Sequence, residues 1–562
     1  MTRLSKTHIL PAVALLLFGA VLGVQLDSYL SSDDALQQFE KLKRAFVVIS
    51  SKYVEPVDAQ DMAEEGVKGM LESLDPHSSY IPPEQVRDTR DRYEGSFGGI
   101  GIRFEPGDTA RVISPITGGP SEKVGVMAGD RIVEIEDSTA IGLSGNQIQD
   151  RLKGKIGTPV TITIYRPLAD KRLTFTIERD EIPLYSINTS YMVDDKTGYI
   201  EISRFAMSTH EEFMNKVGRL KQEGMERLVL DLRDNPGGVM QSAVKIADEM
   251  LGAGMTLVRT KGRSAEMNTR YRGHDGGALE NQPVIVLVNR RSASASEILS
   301  GALQDHDRAL IVGRRTFGKA LVQKQFELND GSLLQMTVGR YYTPVGRLIQ
   351  TPYEKGDREA YYEEKTASWR DAVYDVETYK ESIADSLIYQ TDHGRTVFGG
   401  GGIMPDHVVA PDTTSLATFI RGSQLDALFA RQWFSSHEQQ LRSTWQDREQ
   451  EFLDAYEVDA TTVEAFWDYA EEEGVLSLTS TADSVDVGER IYPQAEARDL
   501  RDFLRTRLKG RLANVLYGTG VGRPALNQTD PTFLQAMSLW PSSVELAGYH
   551  AASAPRESAA QN

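Results

Sequence analysis

Along the first hundred residues the apolar positions recur at intervals of three and four. DALQQFEKLKRAFVVISSKY is the clearest run, and the pattern predicts helix over residues 34–95. Pro76, Pro82 and Pro83, in and around LDPHSSYIPPE, break it. The period then shortens. SFGGIGIRF, ARVISPI, DRIVEIED and TPVTITIYRP are brief β-type runs punctuated by Gly, Pro and Asp, with one helix predicted near 146–152. Together they predict a compact β-rich module. From about residue 196 the runs GYIEISRF, RLVLDLR, PVIVLVN and ALIVG are almost uninterrupted apolar sequence, as strands covered on both faces should be. They alternate with helical segments such as SAVKIADEML and ASEILSGALQ, which predicts an α/β core around a largely parallel sheet. After YYTPVGRLIQ comes a charged, tyrosine-rich stretch over 353–389, then FGGGGIMPDHVV. Residues 415–540 read as helical again, and SAPRESAAQN as a loose tail. No repeat recurs at a fixed period.

Composition narrows what such a chain can do. With 562 residues it exceeds a single core. Its net charge of −19 disfavours nucleic acid as a partner, because phosphate binding needs a basic surface. It has no cysteine, which excludes a thiol nucleophile, thiolate metal ligation and disulfides. Its nine histidines lack HExxH or similar spacing, so no metal site is expected. At the N-terminus Arg3 and Lys6 precede an apolar run from Ile9 to Val24. That is the form of a secretory signal or a short membrane anchor, and it places the body outside the cytoplasm.

Candidate chemistry gathers in three places. In NRRSASASEIL, Ser294 opens a helix directly after the strand PVIVLVN, and Glu297 stands three residues on. The pair fits a capping box, and equally a nucleophile held at a helix N-terminus at the carboxyl end of a sheet. A serine needs a base. His306, at the far end of the same helix, is a weak candidate. Lys319, after the Gly318 hinge and among Phe317, Ala320 and Leu321, is a stronger one, since burial lowers a lysine's pKa. The third place is DLRDNPGGV, whose Gly237–Gly238 pair precedes a helix and can present amides to an oxyanion or form a plain turn. No G-x-S-x-G elbow exists. SAVK at 242–245 matches S-x-x-K, but KTG at 196–198 precedes it and S-D-N is missing, so a penicillin-binding-protein reading fails and Lys245 is expected on a helix surface.

NRRSASASEILSGALQD, TFGKALVQ and DLRDNPGG resemble the carboxy-terminal processing peptidases, over roughly residues 35–410. The resemblance implies an α/β protease core of the ClpP/crotonase-like kind, a β-rich PDZ domain and helical N- and C-terminal regions. Its implied layout is a signal or anchor (1–33), a helical region (34–95), the PDZ domain (96–180), the peptidase core (181–414) with an insertion at about 352–396, a helical region (415–545) and a tail (546–562). It further implies Ser294 as nucleophile, Lys319 as base, Gln323 as the group orienting that lysine, and Gly237 and Gly238 as oxyanion donors. Gly99, Ile100, Gly101 and Ile102 are implied to hold the substrate carboxylate while its tail adds as a strand. The implied function is a Ser/Lys serine endopeptidase cutting proteins near their C-terminus, without cofactor or metal. The alternative is a silent PDZ adaptor on a protease-like scaffold. Expected partners are proteins or peptides with free C-termini, with a membrane tether and a homo-oligomer or regulatory partner left open. The expected setting is a bacterial cell envelope, periplasmic or otherwise extracytoplasmic, free or anchored to the inner membrane. Two features depart from the family pattern. Ala320 replaces the glycine of T-F-G-K-G, and the tyrosine-rich insertion separates RLIQ from GGIMPD, either as a solvated helical excursion or as a lid or assembly contact.

Overall fold

The strand–helix alternation builds a six-stranded sheet in the order Thr189–Met192, Thr197–Glu201, Arg227–Asp231, Val284–Val288, Ala309–Gly313, His407–Val408. The first pair is antiparallel and every later pair parallel. The computed structural model describes residues 33–116, 118–410, 415–480 and 490–553, so the apolar run of the signal or anchor reading lies outside the described residues. Both faces of the sheet are covered, which is why its strands lack polar alternation. Ile200, Leu228, Leu230, Val284 and Val286 pack against helices Thr209–Gln222, Met240–Asp248 and Ala295–Asp305. On the other face Tyr199, Val229, Ile285, Leu287 and Val312 meet Phe533, Ala536, Trp540 and Leu546. Each Val, Leu, Ile or Phe side chain among them contributes about 1.5–3 kcal/mol by leaving water.

That second wall corrects the reading of the C-terminal end. Helix Trp540–Ser553 runs past residue 546, where the sequence pattern starts a tail, because Leu546 is drawn into the sheet's core. The N-terminal region differs as well. It is not helical throughout but consists of helices Asp33–Lys52, Ala59–Glu72 and Pro83–Glu94, with the strand Ser79–Ile81 between them. Pro83 starts a helix instead of only ending one, since proline fits the first helical turn. The strand Ser79–Ile81 joins a second, antiparallel sheet by pairing with Leu333–Tyr342, which also pairs with Thr256–Gly262 and Leu321–Glu327.

The β-rich module is a separate sheet, ordered Ile102–Glu105, Ala110–Pro115, Arg131–Ile135, Pro159–Arg166, Lys171–Glu178. It closes over a core that includes Val112, Ile132, Ile148, Ile162 and Ile164. Helix Gly145–Leu152 lies where predicted, capped by Ser144 and Gln147. In the tyrosine-rich insertion, helix Arg358–Tyr374 buries Tyr361 and Lys365, so it is not the solvated excursion that its charge suggests. Among the described residues no helix is long and apolar enough to cross a membrane.

Candidate active site

Three loops leave the carboxyl ends of neighbouring parallel strands and carry Gly237–Gly238, Ser294 and Lys319. With Gln323 these residues line one cleft of about 660 Å³. The three serines of the S-A-S-A-S run part company here. Ser292 donates to Leu232 O at 2.8 Å and Ser296 to Asn235 O at 3.0 Å, so both hydroxyls bind backbone in the interior. Ser294 alone of the three lines the cleft. Its backbone is left-handed at φ 54°, a conformation that costs a non-glycine residue about 1–3 kcal/mol and aims the side chain off the helix start. The carboxylate half of its S-x-x-E box closes, with the Ser294 N–H donating to Glu297 at 2.8 Å. The Glu297 N–H donates to Ser294 O at 2.9 Å.

Glu297 does more than cap. Fully buried, its carboxylate also accepts from Lys319 N–H at 2.9 Å, Gly318 N–H at 2.6 Å and the Thr316 hydroxyl at 2.6 Å. Burial pushes its pKa up, and these four donors pull the other way. From the opposite side the Tyr341 hydroxyl lies 2.6 Å from Lys319 O and 3.1 Å from Ser294 O. The serine turn and the lysine loop are therefore tied twice. Neither Glu297 in this second role nor Tyr341 was legible as a site residue. Ala320 fits without strain, since its φ lies outside the left-handed region and its N–H is taken by Gln350 at 2.9 Å.

The Lys319 amine donates to Gln323 Oε1 at 2.7 Å, and Gln335 Nε2 donates to the same oxygen at 3.1 Å. Gln323 Nε2 in turn donates to His77 O at 2.7 Å, which fixes the amide's orientation. A register shift between Val322 and Gln323 marks a bulge, the usual device for re-aiming a side chain next to a site. Burial lowers the Lys319 pKa from its ordinary value, against a smaller upward pull from Asp75 and Glu297. A lysine so placed loses its proton more readily, as a base must.

The glycine pair divides its work. The Gly237 N–H donates to Asn235 Oδ1 at 2.9 Å, an Asx turn, so this amide already has a partner and departs from its expected role. Gly237 serves by lacking a side chain. A Cβ there would stand 2.8 Å from Ser294 Cβ and 2.9 Å from Ala295 N. Among the described residues no acceptor takes the Gly238 N–H or the Ala295 N–H. Ala295 escaped the sequence reading because a backbone donor leaves no side-chain signature. The loop itself is anchored by Arg233, which pairs with Asp231 and reaches Asp530 at 2.7 Å.

The remaining candidates settle readily. His306 hydrogen-bonds Asp392 at 2.6 Å and Thr256 O at 2.7 Å, well away from the cleft lining. Burial lowers its pKa, but these partners outweigh burial and hold it above the usual value. Ser242 donates to Ala206 O at 2.6 Å, and Lys245 is exposed as expected. In the β-rich module, Gly99, Ile100 and Gly101 lead into Ile102–Glu105, an edge strand with a ladder on one side only.

Comparison with known proteins places the chain in a family. Residues 196–357 match peptidase family S41, residues 98–178 a PDZ domain, and residues 24–85 the N-terminal domain of the activating protease CtpB. Over 325 residues, 57% of this chain and 74% of the relative, the sequence is 37% identical to the carboxy-terminal-processing protease of Bartonella bacilliformis. The chain belongs to the carboxy-terminal-processing proteases. It is 37% identical to the carboxyl-terminal-processing protease of a Picosynechococcus species, over 53% of this chain and 73% of that one. It is also 32% identical to carboxy-terminal processing protease CtpA of Bacillus subtilis, over 56% and 66%. This carboxy-terminal-processing protease is thus a serine-type peptidase with a PDZ domain on the S41 fold, flanked by helical N- and C-terminal regions.

Proposed function

We propose that Ser294 is the nucleophile and Lys319 the general base of this peptidase. The observation that carries the reading is the Lys319 Nζ–Gln323 Oε1 hydrogen bond of 2.7 Å, made in the cleft that Ser294 also lines. Neutral Lys319 takes the Ser294 proton as the hydroxyl attacks a peptide carbonyl. Gln323, held by His77 O, keeps the amine aimed. The Gly238 and Ala295 amides receive the oxyanion, and loss of one such donor raises the barrier by about 3 kcal/mol. The protonated lysine returns its proton to the leaving amine, and water then releases the acyl group through the same base.

The PDZ domain presents the tail of the substrate. The open edge at Ile102–Glu105 supports addition of an extended C-terminal segment, with the loop Gly99–Ile100–Gly101–Ile102 receiving its carboxylate. The basic and apolar start of the chain supports an extracytoplasmic setting in a cell envelope. The test is to incubate the protein, Ser294→Ala and Lys319→Ala with tailed and tail-less protein substrates and map the cuts by mass spectrometry. Cuts confined to tailed substrates and to the parent enzyme support the reading. Persistent cleavage by either variant removes that residue from its role.

A further inference from the structure

The tyrosine-rich insertion meets the base-bearing loop through a buried cation. On helix Arg358–Tyr374, Tyr361 and Lys365 stand one turn apart and each is only 2% exposed. The Lys365 ammonium lies 3.3 Å from the centre of the Phe317 ring and donates to the Tyr361 hydroxyl at 3.0 Å. Phe317 is two residues ahead of Lys319, and its N–H donates to Ser292 O at 2.9 Å. The contacts continue beyond Tyr361. Its hydroxyl is 3.3 Å from His77 Nε2, with the two rings edge to face at 5.6 Å. The His77 carbonyl holds Gln323, and Gln323 holds the Lys319 amine, each at 2.7 Å. The insertion thus reaches Lys319 from two directions, its backbone through Phe317 and its amine through Gln323.

A lysine in such a place works against stability. An apolar side chain of the same length would bury as well without desolvating a charge. Burial lowers the Lys365 pKa to about 7, with Glu297 favouring the charged form and Arg315 opposing it. His77, facing Lys365 across Tyr361, is held down to about 3 by burial and by Lys319, Lys365 and Arg358, against Asp75, so it stays neutral near physiological pH. Below about 7 the Lys365 cation rests on the Phe317 ring, and as pH rises through that value the cation–π contact fades.

We propose that Lys365 and Tyr361 are positioning residues for Lys319, through which the insertion helix braces the Phe317–Lys319 turn and the Gln323 amide against the catalytic cleft. This rests on the reading of Lys319 as the base. The test compares the full-length parent, Lys365→Met, Tyr361→Phe and Lys319→Ala on a tailed protein substrate across pH, with thermal unfolding alongside. Lys365→Met is expected to lower kcat about tenfold on the acid side while KM stays within twofold, because a slightly misplaced base loses rate without losing binding. Its unfolding temperature equals or exceeds the parent's, and its deficit narrows as pH rises past about 7. Tyr361→Phe lowers kcat too, at every pH. A Lys365→Met whose kcat and pH profile stay within twofold of the parent, with Lys319→Ala inactive, overturns the brace and leaves the base in place. Cleavage by Lys319→Ala overturns the base assignment itself. If Lys365→Met does not fold, Tyr361→Phe decides alone, and an unchanged kcat there overturns the proposal.

Discussion

The two halves of the catalytic cleft are held in different ways. On the serine side, the restraint on Ser294 comes from Glu297, three residues away on the same helix, and the flanking serines tie the turn to the adjacent strand loop. On the lysine side, Gln323 is four residues from Lys319, but its own support comes from His77, 246 residues earlier, and from Gln335 on the neighbouring strand. The Ser294 turn is thus held wholly within the peptidase core, by Glu297, by Tyr341 and by the loop after Arg227–Asp231. The Lys319 amine leans on the N-terminal region, through Gln323 and the His77 carbonyl. A change in that distant segment reaches Lys319 without touching the motif around Ser294.

The largest test of this contrast is Ser294→Ala, which should reduce turnover by roughly 10⁴-fold or more while costing at most about 1–2 kcal/mol in unfolding free energy. Mass-spectrometric cut mapping and denaturant titration measure the two. Lys319→Met should be nearly as severe in turnover but opposite in stability. The folded protein binds the Lys319 proton less tightly than the unfolded chain does, because burial lowers its pKa. Its contribution to stability therefore rises with pH between the lowered value and the ordinary lysine pKa, and is lost as pH falls through that window. At neutral pH the methionine variant should melt no lower than the parent, and activity of the parent should climb as pH rises through the lowered pKa. A variant that melts well below the parent would contradict the cost assigned to that buried amine.

Glu297→Gln strikes the point the two halves share. It turns an acceptor oxygen into a donor facing backbone N–H groups, so we expect about 10²-fold lower kcat and a loss of about 2–3 kcal/mol. Steady-state turnover of a tailed substrate and urea unfolding check both. The smallest effect belongs to Ser296→Ala, about 1 kcal/mol for its one hydrogen bond, and Ser292→Ala, about 2 kcal/mol because its hydroxyl also accepts from Asn289 N–H, while turnover stays within a few-fold in both. Abolished turnover in either, with intact fold, would reassign the nucleophile.

Much of this architecture was legible because its signals are local. The apolar runs at 284–288 and 309–313 are buried throughout, as two-sided strands must be. Ser294 stood out through its motif and its position after a strand. What escaped has a physical reason in each case. Ser79–Ile81 is too short to announce itself as a strand, and only its partner Leu333–Tyr342 makes it one. His77 contributes a backbone carbonyl, and Ala295 an amide, and neither leaves a mark in side-chain chemistry. Lys365 sits in a segment whose charge favours a solvated helix, and nothing in its neighbours foretells the Phe317 ring. Gly237 was a different kind of miss, because Asn235 two residues earlier is the usual partner in an Asx turn and already claims that amide.

The salt bridge from Arg233 to Asp530 has a consequence for the order of assembly. The two residues are 297 positions apart, and Tyr199 must likewise wait for Phe533, 5.9 Å away, before its face of the sheet is covered. During synthesis the loop beside Ser294 is made early and secured late. Contacts of such long sequence separation form slowly. The outer wall of the sheet, and with it the Asp530 anchor of the loop that carries Gly237 and Gly238, is complete only once almost the whole chain has been made.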